Sequence, residues 1–237
     1  MINGLFNALS GMNVASRRLQ NSSNNLANLQ TSGFKKGEVA SVENRNGGSS
    51  VSAVSKVNSQ GPLQQTGNPL NLAINGNGHF QVTRANGAPG FTRAGNFSVD
   101  GQGRMVTPNG EPLVPEINIP AGATQISVGS NGQVTARVGG ENQILGQIQL
   151  SSFNNPEGLT AQGENLFSES AASGAPVAGN PGDGGFGTVL SGVLEMSNVD
   201  IAEEMVDQIV SKAAFQANAN MVRAADEMLG TILDIKA

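Results

Sequence analysis

Apolar residues follow a helical period at the N-terminal end of the chain. The set repeats every seven residues, and two further members stand three residues before a repeat position. Its members are Ile2, Leu5, Leu9, Met12, Leu19 and Leu26. This alternation of threes and fours is the a/d pattern of a coiled coil and predicts a long amphipathic helix. The remaining faces carry many Asn, Ser and Ala residues and few charges, which indicates contacts on several sides of the helix.

A second helical pattern occupies the C-terminal end, where apolar residues first recur at a spacing of four and then at alternating fours and threes. Its principal members are Met205, Ile209, Met221, Met228 and Ile232. Ser197 stands where an N-cap residue is expected, with Asp200 three residues later. A run of fours drifts around the helix surface, so the apolar stripe could meet more than one partner.

Between these ends the pattern changes to short β-branched or alternating runs separated by turn sequences. The runs include HFQV, FTRAGNFSV, RMVT, QISV, QVTARV and ILGQIQLSSF. No helical period interrupts residues 76–153, which argues against parallel β-α-β units and favours an antiparallel arrangement.

These patterns predict an α+β fold in which two long terminal helices form a coiled-coil layer and a mainly antiparallel all-β domain is inserted between them. The predicted division is an N-terminal helix at 1–32, an extended connector at 33–60, the β domain at 61–190, and a C-terminal helix at 191–237 that pairs with the first. Two Gly- and Ser-rich segments, around 44–55 and 170–190, are expected to be extended or flexible chain.

Composition and charge exclude several classes of function. The net charge of −5 is unfavourable for nucleic-acid binding, which needs clustered Lys and Arg. The chain has no cysteine, so it has no disulfide framework and no thiolate metal site. The N-terminal sequence lacks the basic and apolar regions of a signal peptide, and no apolar run approaches the ~20 residues of a membrane-spanning helix. We therefore expect no membrane insertion and no cleaved leader.

Few residues in the sequence suggest catalytic chemistry. His79 is the single histidine and lies in a strand pattern beside Phe80, so a structural role is favoured over a catalytic one. The glycine-rich sequences GNGHF and GGFG lack the Lys-Ser/Thr of a phosphate-binding loop. The acidic pairs in the C-terminal helix, Glu203 with Glu204 and Asp226 with Glu227, are typical of helix starts and solvated faces. We predict no catalytic residue, no metal, no cofactor and no enzymatic activity.

Long motifs at both ends and in the middle resemble the axial proteins of the bacterial flagellum, the rod and hook subunits. The N-terminal motif is ALSGMNVASRRLQNSSNNLANLQTSGFKK and the C-terminal motif is LEMSNVDIAEEMVDQIV. The middle segments, such as GPLQQTGNPLNLAINGNGHFQV and FTRAGNFSVDGQGRMVTPNGEPL, are most similar to the distal rod protein. The resemblance covers nearly the whole chain.

This resemblance implies a structural subunit that polymerises helically into a hollow shaft, which transmits torque and serves as an export channel in the basal body. The implied partners are further copies of the chain, neighbouring rod and hook proteins, and the flagellar type III export apparatus, which cleaves no leader. The implied assembly interface is the two apolar helix sets named above. The family-motif residues are Asn24, Asn25, Asn28, Gly33, Phe34, Ser197 and Asn198.

Two features depart from the family pattern. The segment 36–60 is short compared with that of some distal rod proteins, and Ala213 stands where an arginine is usual. For the asparagines, two interpretations remain open: hydrogen bonds on the polar face and helix end, or amide ladders between subunits. Gly33 is expected to end the helix in a left-handed conformation, with Phe34 anchoring the chain that follows.

Three alternatives to a rod subunit remain. The first is a hook subunit or another axial protein of the hook and basal body, although hook subunits commonly carry an additional outer domain for which this chain has little room. The second is a secreted β-rich binding module with coiled-coil ends, which is poorly supported in a chain with nine Phe and neither Trp nor Tyr. The third is a chaperone or regulator associated with export.

Overall fold

The computed structural model of the chain describes the backbone of residues 2–45 and 47–235, and side chains within 3–45 and 47–231. Two long helices stand at its ends, α1 at Ile2–Ala27 and α2 at Ile201–Ile235, with strands between them. The first strands are β1 Gly37–Glu43, β2 Ser49–Lys56, β3 Leu63–Gln65, β4 Leu72–Asn75, β5 His79–Thr83, β6 Pro89–Thr92, β7 Ser98–Val99, β8 Met105–Val106 and β9 Leu113–Val114. The remaining strands are β10 Thr124–Val128, β11 Gln133–Val138, β12 Glu141–Gln147, β13 Leu150–Ser152, β14 Thr160–Gly163, β15 Leu166–Ser168, β16 Val177–Gly179, β17 Thr188–Ser191 and β18 Val193–Glu195. A short 3-10 helix lies at Pro156–Gly158.

The chain divides into two compact units, and each unit is built from segments that are separated along the sequence. The helical unit contains α1 and the two residues that follow it, to Leu29, together with the segment Lys36–Val57 and the chain from Val199 onward. The β unit contains Gln30–Lys35 and Asn58–Asn198. The α+β class, the pairing of the terminal helices and the antiparallel β region between them agree with the sequence prediction.

The helical unit is built on an antiparallel pair of helices. Gly11 of α1 lies beside Asn218 of α2, and Ser22 lies beside Glu204, so the two helices run in opposite directions. At ~1.5 Å per residue the 26-residue α1 is roughly 39 Å long and the 35-residue α2 roughly 52 Å. A shorter partner therefore leaves part of the longer helix without intrachain cover.

Both helices begin or end at residues that differ from the prediction. The helix α1 ends at Ala27 rather than at residue 32, and α2 begins at Ile201. The cap of α2 is Asp200, whose Oδ1 accepts hydrogen bonds from the backbone N–H groups of Ala202 (2.8 Å) and Glu203 (3.2 Å). The prediction that Ser197 is the cap was wrong, because the helix begins only at Ile201 and Ser197 lies four residues before it.

The segment expected to be an extended connector contains a β-hairpin. The strands β1 and β2 pair antiparallel from Gly37 with Lys56 to Glu43 with Ser49, with a bulge between Ala40 and Ser41. The hairpin packs against α1, and the Ser10 hydroxyl oxygen accepts a hydrogen bond from the Ser49 backbone N–H at 3.1 Å. Strand pairing and the contact with α1 give regular structure to this polar segment, although its sequence pattern did not predict strands.

The β unit is antiparallel throughout. Its largest sheet has seven strands in the order β14-β15-β6-β5-β13-β16, with β9 paired to β5. A three-stranded sheet β10-β11-β12 and the pairs β17-β4, β18-β3 and β7-β8 complete it. The pairs β17-β4 and β18-β3 bring residues 188–195 back to residues 63–75, so the second segment expected to be flexible ends in ordered strands.

One hydrophobic core fills the β unit. Its fully buried members come from many strands and include Leu72, Ile74, Phe80, Met105, Leu113, Ile117, Ile148 and Leu150. A smaller cluster of Phe91, Phe153 and Phe167 lies beside the sole histidine. The β unit therefore has a core of its own.

Candidate assembly surface

Exposed large apolar side chains are concentrated in the helical unit. Eleven of those described lie there: Phe6, Leu9, Val42, Val54, Ile201, Met205, Val206, Ile209, Val210, Met221 and Met228. Four lie in the β unit, Leu63, Val99, Ile144 and Val177, although the β unit is the larger. Such a density of exposed apolar surface in one part of a molecule is typical of a protein–protein interface.

The residues predicted as the assembly interface fall into two groups. Leu5, Met12, Leu19 and Leu26 of α1 are half-buried, whereas Leu9, Met205, Ile209, Met221 and Met228 are 49–66% exposed. The side chains of Ile2 and Ile232 lie outside the described residues. Ala213 is exposed on α2. The α1 members of the predicted interface are therefore partly covered within the subunit, whereas the described α2 members are largely exposed.

The most deeply buried residues of the helix pair are mainly small or polar. On α1 the buried positions include Ala8, Ala15 and Ser22, seven residues apart. On α2 the matching positions also recur every seven residues, at Glu204, Ser211, Asn218 and Ala225. A Cβ added to Gly11 would lie 2.7 Å from the Asn218 side chain, so the helices approach closely there. The large apolar side chains Leu9, Met205 and Ile209 stay exposed in the subunit.

Asn25 joins three elements of the helical unit and is almost completely buried. Its Nδ2 donates to the Gly37 carbonyl oxygen at 3.0 Å and to Glu204 Oε1 at 2.8 Å. Its Oδ1 accepts a hydrogen bond from the Gly37 N–H at 2.8 Å. Asn25 thus uses its amide within one chain, in a way that neither sequence interpretation anticipated. Asn28 follows the helix-end interpretation, since its Nδ2 donates to the Asn24 carbonyl oxygen at 2.9 Å.

The other motif residues belong to the β unit. Gly33 has the expected left-handed conformation (φ +69°), but α1 has already ended six residues earlier. A Cβ there would lie 2.4 Å from the Ala94 nitrogen, so close backbone approach requires glycine. Phe34 and Ser197 are buried. Asn198 donates from Nδ2 to the Ser59 carbonyl oxygen at 3.1 Å.

Two adjacent lysines have opposite environments. Lys36, in the helical unit, donates to Glu203 Oε2 at 2.9 Å near the surface, and this hydrogen bond raises the pKa of the lysine. Lys35, in the β unit, is buried and pairs with the fully buried Glu195. Burial lowers the pKa of Lys35, and the neighbouring Glu195 opposes that shift. Such ion pairs join residues far apart in sequence, so no local pattern could predict them.

His79 lies in the interior of the β unit. Its ring packs edge-on against Phe153 and Phe167, with centroids 5.8 and 6.4 Å away. Burial, together with the positive charges of Arg93 and Lys35, lowers the pKa of His79 to about 3. The imidazole is therefore neutral near pH 7 and acts as a packing group.

The described residues offer no metal site and no membrane-spanning helix. Within the described residues, no three His, Asp or Glu side chains are grouped closely enough to hold a metal ion. Over the same residues, neither helix combines the length and apolar character that a membrane crossing requires. The chemistry offered by the helical unit is therefore apolar contact combined with polar and charged groups at its edges.

Two family models match the chain. Residues 73–136 match the model described as flagellar hook protein FlgE/F/G D1 domain. Residues 190–235 match the model described as flagellar basal body rod FlgEFG protein C-terminal. The first match lies within the β unit, and the second covers the end of the β unit and α2.

Similar proteins match over nearly their full length. The flagellar basal-body rod protein FlgG of Agrobacterium fabrum is 37% identical over 95% of this chain and 96% of its own length. FlgG of Bacillus subtilis is 36% identical, with both chains fully covered. The flagellar hook protein FlgE of Escherichia coli is 36% identical over 49% of this chain and 29% of its own length. This chain belongs to the family of flagellar basal-body rod proteins FlgG.

Proposed function

We propose that this chain is a structural subunit of the flagellar rod, in the basal body, and that copies of it polymerise helically into a hollow, torque-transmitting shaft. Its partners in this proposal are further copies of itself and neighbouring rod and hook proteins. The subunit reaches its place through the flagellar type III export apparatus. It is not an enzyme and needs no cofactor.

The observation that carries the proposal is the exposed apolar surface of the helical unit in a chain related to FlgG over its full length. The most deeply buried groups of the helix pair are mainly small or polar, whereas large apolar side chains such as Met205, Ile209 and Met221 stay exposed in the subunit. A helix pair of this kind has an outer face that neighbouring subunits could cover. Burial of that face supplies the free energy of assembly, because apolar area removed from water is stabilising.

The hook alternative is less well supported. The match to hook protein FlgE covers less than a third of that protein, whereas the matches to FlgG cover nearly all of it. The alignment with Bacillus subtilis FlgG is 264 positions long, whereas this chain has 237 residues. The alignment therefore contains gaps in this chain. The secreted-module and export-chaperone alternatives gain no support, since the similar proteins are named as rod and hook proteins.

The energy available at one position can be worked from Ile209. Its side chain is 66% exposed, and full burial of an isoleucine is worth about 1.5–3 kcal/mol. About two-thirds of that, roughly 1–2 kcal/mol per subunit, therefore remains to be gained when a neighbour covers it. A carboxylate at this position would remove the gain and add the cost of desolvating a charge.

The test is to replace Ile209 with aspartate in cells that carry this chain as their rod protein. Ile209→Asp should leave the subunit folded, since its side chain already lies in water, but it should prevent rod assembly and swimming. Ile144→Asp is the matched control, because Ile144 is also an isoleucine and is 63% exposed, but lies in the β unit. Circular dichroism of the purified variants checks the fold, and electron microscopy of isolated basal bodies checks the rod.

The two variants separate the possible outcomes. Absence of rods with Ile209→Asp and normal rods with Ile144→Asp would support the helical unit as the assembly surface. Normal rods and normal swimming with Ile209→Asp would refute it. Equal loss of rods in both variants would show that the β unit contributes to the interface as much as the helical unit does. That result would contradict the helical unit as the main assembly surface.

A further inference from the structure

A cavity of about 280 Å³ lies within the β unit, beside the single histidine of the chain. We call it the His79 cavity. Its wall includes Asn58, His79 and Arg93, together with Asn77 and Asn154. Asn77 and Asn154 are exposed, so the cavity is open to solvent. At ~30 Å³ per water molecule the volume has room for roughly nine waters, or for a small ion with part of its hydration.

Three residues of this wall carry buried polar atoms that have no hydrogen-bond partner. Among the described residues, the buried side-chain atoms in that state are Asn58 Nδ2, His79 Nδ1, Arg93 Nη1 and Glu195 Oε2. The first three belong to residues that line the His79 cavity, and Glu195 Oε2 lies 3.7 Å from Arg93 Nε. Unpaired buried polar groups are costly and uncommon in folded proteins. Their concentration around one cavity indicates that the cavity receives a polar ligand.

Arg93 makes the strongest demand for such a ligand. Its residue surface is only 5% exposed, and its Nη2 donates to the Gly76 carbonyl oxygen at 2.7 Å. Its Nη1 donates to none of the described residues. A guanidinium keeps its charge and its five N–H donors in a folded protein, so Nη1 cannot escape the cost by losing a proton. An acceptor that enters the cavity, either water or an anion, is therefore needed.

The charge around the His79 cavity favours an anion over water alone. The ionisable residues that line it are His79 and Arg93, and no carboxylate of the described residues joins them in the wall. Burial lowers the pKa of His79, and the positive charges of Arg93 and Lys35 lower it further, so both cations act at the cavity. Glu195 is the one carboxylate among the described residues within ion-pair distance of Lys35 and Arg93. Two buried cations against one carboxylate leave a positive charge that an anion balances.

We propose that the His79 cavity is a binding site for a small oxyanion such as phosphate, held by Asn58, His79 and Arg93. Asn58 Nδ2 and Arg93 Nη1 donate to its oxygens, and His79 Nδ1 donates or accepts according to its tautomer. Hydrogen bonds from a guanidinium to an oxyanion are charge-assisted and therefore strong. The bound anion stabilises the folded β unit, because the unfolded chain has no such site. The site belongs to the single chain and does not depend on the proposed self-assembly.

The first experiment follows the His79 ring by NMR in the purified full chain without a histidine tag. Sodium phosphate replaces sodium chloride at constant ionic strength and neutral pH. Because the sequence has one histidine, its ring signals report on the cavity without further assignment. These signals should shift to saturation, and the thermal midpoint of the β unit should rise with phosphate concentration. Titrations with sulfate and acetate extend the test to other oxyanions.

The second experiment repeats the phosphate titration with variants of the wall. Asn58→Asp adds a carboxylate of nearly the same size, and Arg93→Gln removes the cation. Each should raise the half-saturating phosphate concentration by about tenfold or more, the effect of losing one hydrogen bond to a charged group. Asn86→Asp is the matched control, because Asn86 is exposed in the β unit outside the cavity and aspartate keeps the oxygen that accepts the Ala88 N–H at 3.0 Å. It should change that concentration less than about twofold.

The outcomes separate an anion site from a cavity that holds only water. A saturable shift that Asn58→Asp weakens and Asn86→Asp retains would support the site. If none of the three oxyanions gives a saturable shift, or if all salts shift the signals in proportion to their concentration, the cavity holds water alone and the proposal is refuted. An equal phosphate response in Asn58→Asp would place the anion elsewhere and would also overturn it. Circular dichroism verifies that each variant is folded, and Asn58→Asp carries the test if Arg93→Gln is not.

Discussion

The buried charge cluster of the β unit allows a sharp prediction about stability. Replacing Glu195 with glutamine should lower the free energy of unfolding of the β unit by about 3–5 kcal/mol. The glutamine keeps a side-chain oxygen for the Gly61 N–H, which Glu195 Oε1 accepts at 3.1 Å. It removes the only negative charge near Lys35 and Arg93 among the described residues.

The size of the effect follows from burial. The side chains of Lys35, Glu195 and Arg93 are 1%, 0% and 6% exposed, so water cannot replace the lost carboxylate. Lys35 Nζ donates to Glu195 Oε1, and Arg93 Nε lies 3.7 Å from Oε2, which is ion-pair but not hydrogen-bond distance. Two buried cations would then be left without a counter-charge, the situation in which single removals from buried pairs are most costly.

Glu203→Gln provides the control for this prediction. It breaks the Lys36–Glu203 pair, which has a similarly direct contact of 2.9 Å but side chains that are 20% and 57% exposed. An exposed pair of this kind contributes about 0–1 kcal/mol, because water and salt screen it. Urea unfolding of the full chains, followed by circular dichroism, measures both changes. If Glu195→Gln costs no more than Glu203→Gln, burial does not control the energy of the cluster and the reasoning is refuted.

The pH dependence of the same variant gives an independent check. Burial lowers the pKa of Lys35 below its ordinary value of 10.5, and loss of Glu195 should lower it further. The unfolded chain then binds more protons at this lysine than the folded chain does, so stability should rise as the pH increases toward 10.5. This rise should be steeper in Glu195→Gln than in the unmodified chain, and an identical slope would contradict the assignment.

Three further predictions concern the two units separately. The pKa of His79 is about 3 in the folded chain, below its ordinary value of 6.5, so protonation of this residue favours unfolding. Between pH 7 and pH 5 the free energy of unfolding of the β unit should therefore fall by about 2 kcal/mol more than that of a His79→Gln variant. Urea unfolding at each pH measures both changes. Asp200→Ala removes the cap of α2 and should cost about 1 kcal/mol, seen as a lower thermal midpoint of the helical signal, whereas an unchanged midpoint would remove Asp200 as the cap. Gly33→Ala should lower the thermal midpoint of the β unit by more than Gly67→Ala does. Both glycines have positive φ, but only at Gly33 would the added Cβ meet backbone atoms. Equal shifts of the midpoint would contradict the close approach at Gly33.

The sequence by itself determined the secondary structure wherever one strong period extended over enough residues. The heptad and four-residue spacings predicted both terminal helices, and QVTARV coincides with β11 at Gln133–Val138. The left-handed Gly33 was predicted from residue type, since glycine tolerates positive φ. These features depend on neighbours along the chain, which is why a single sequence reveals them.

Tertiary structure alone decided which surfaces meet. Apolar spacing indicates which side chains avoid water but not what covers them, and only the structure shows that Ala8 and Ala15 are buried in the subunit whereas Ile209 is exposed. The hairpin β1–β2 is polar and becomes ordered through pairing and packing on α1. The contacts between Lys35 and Glu195 and between Asn25 and Glu204 join residues 160 and 179 positions apart. Such contacts form only when the fold brings distant segments together, because their energy depends on burial and distance rather than on local residue order.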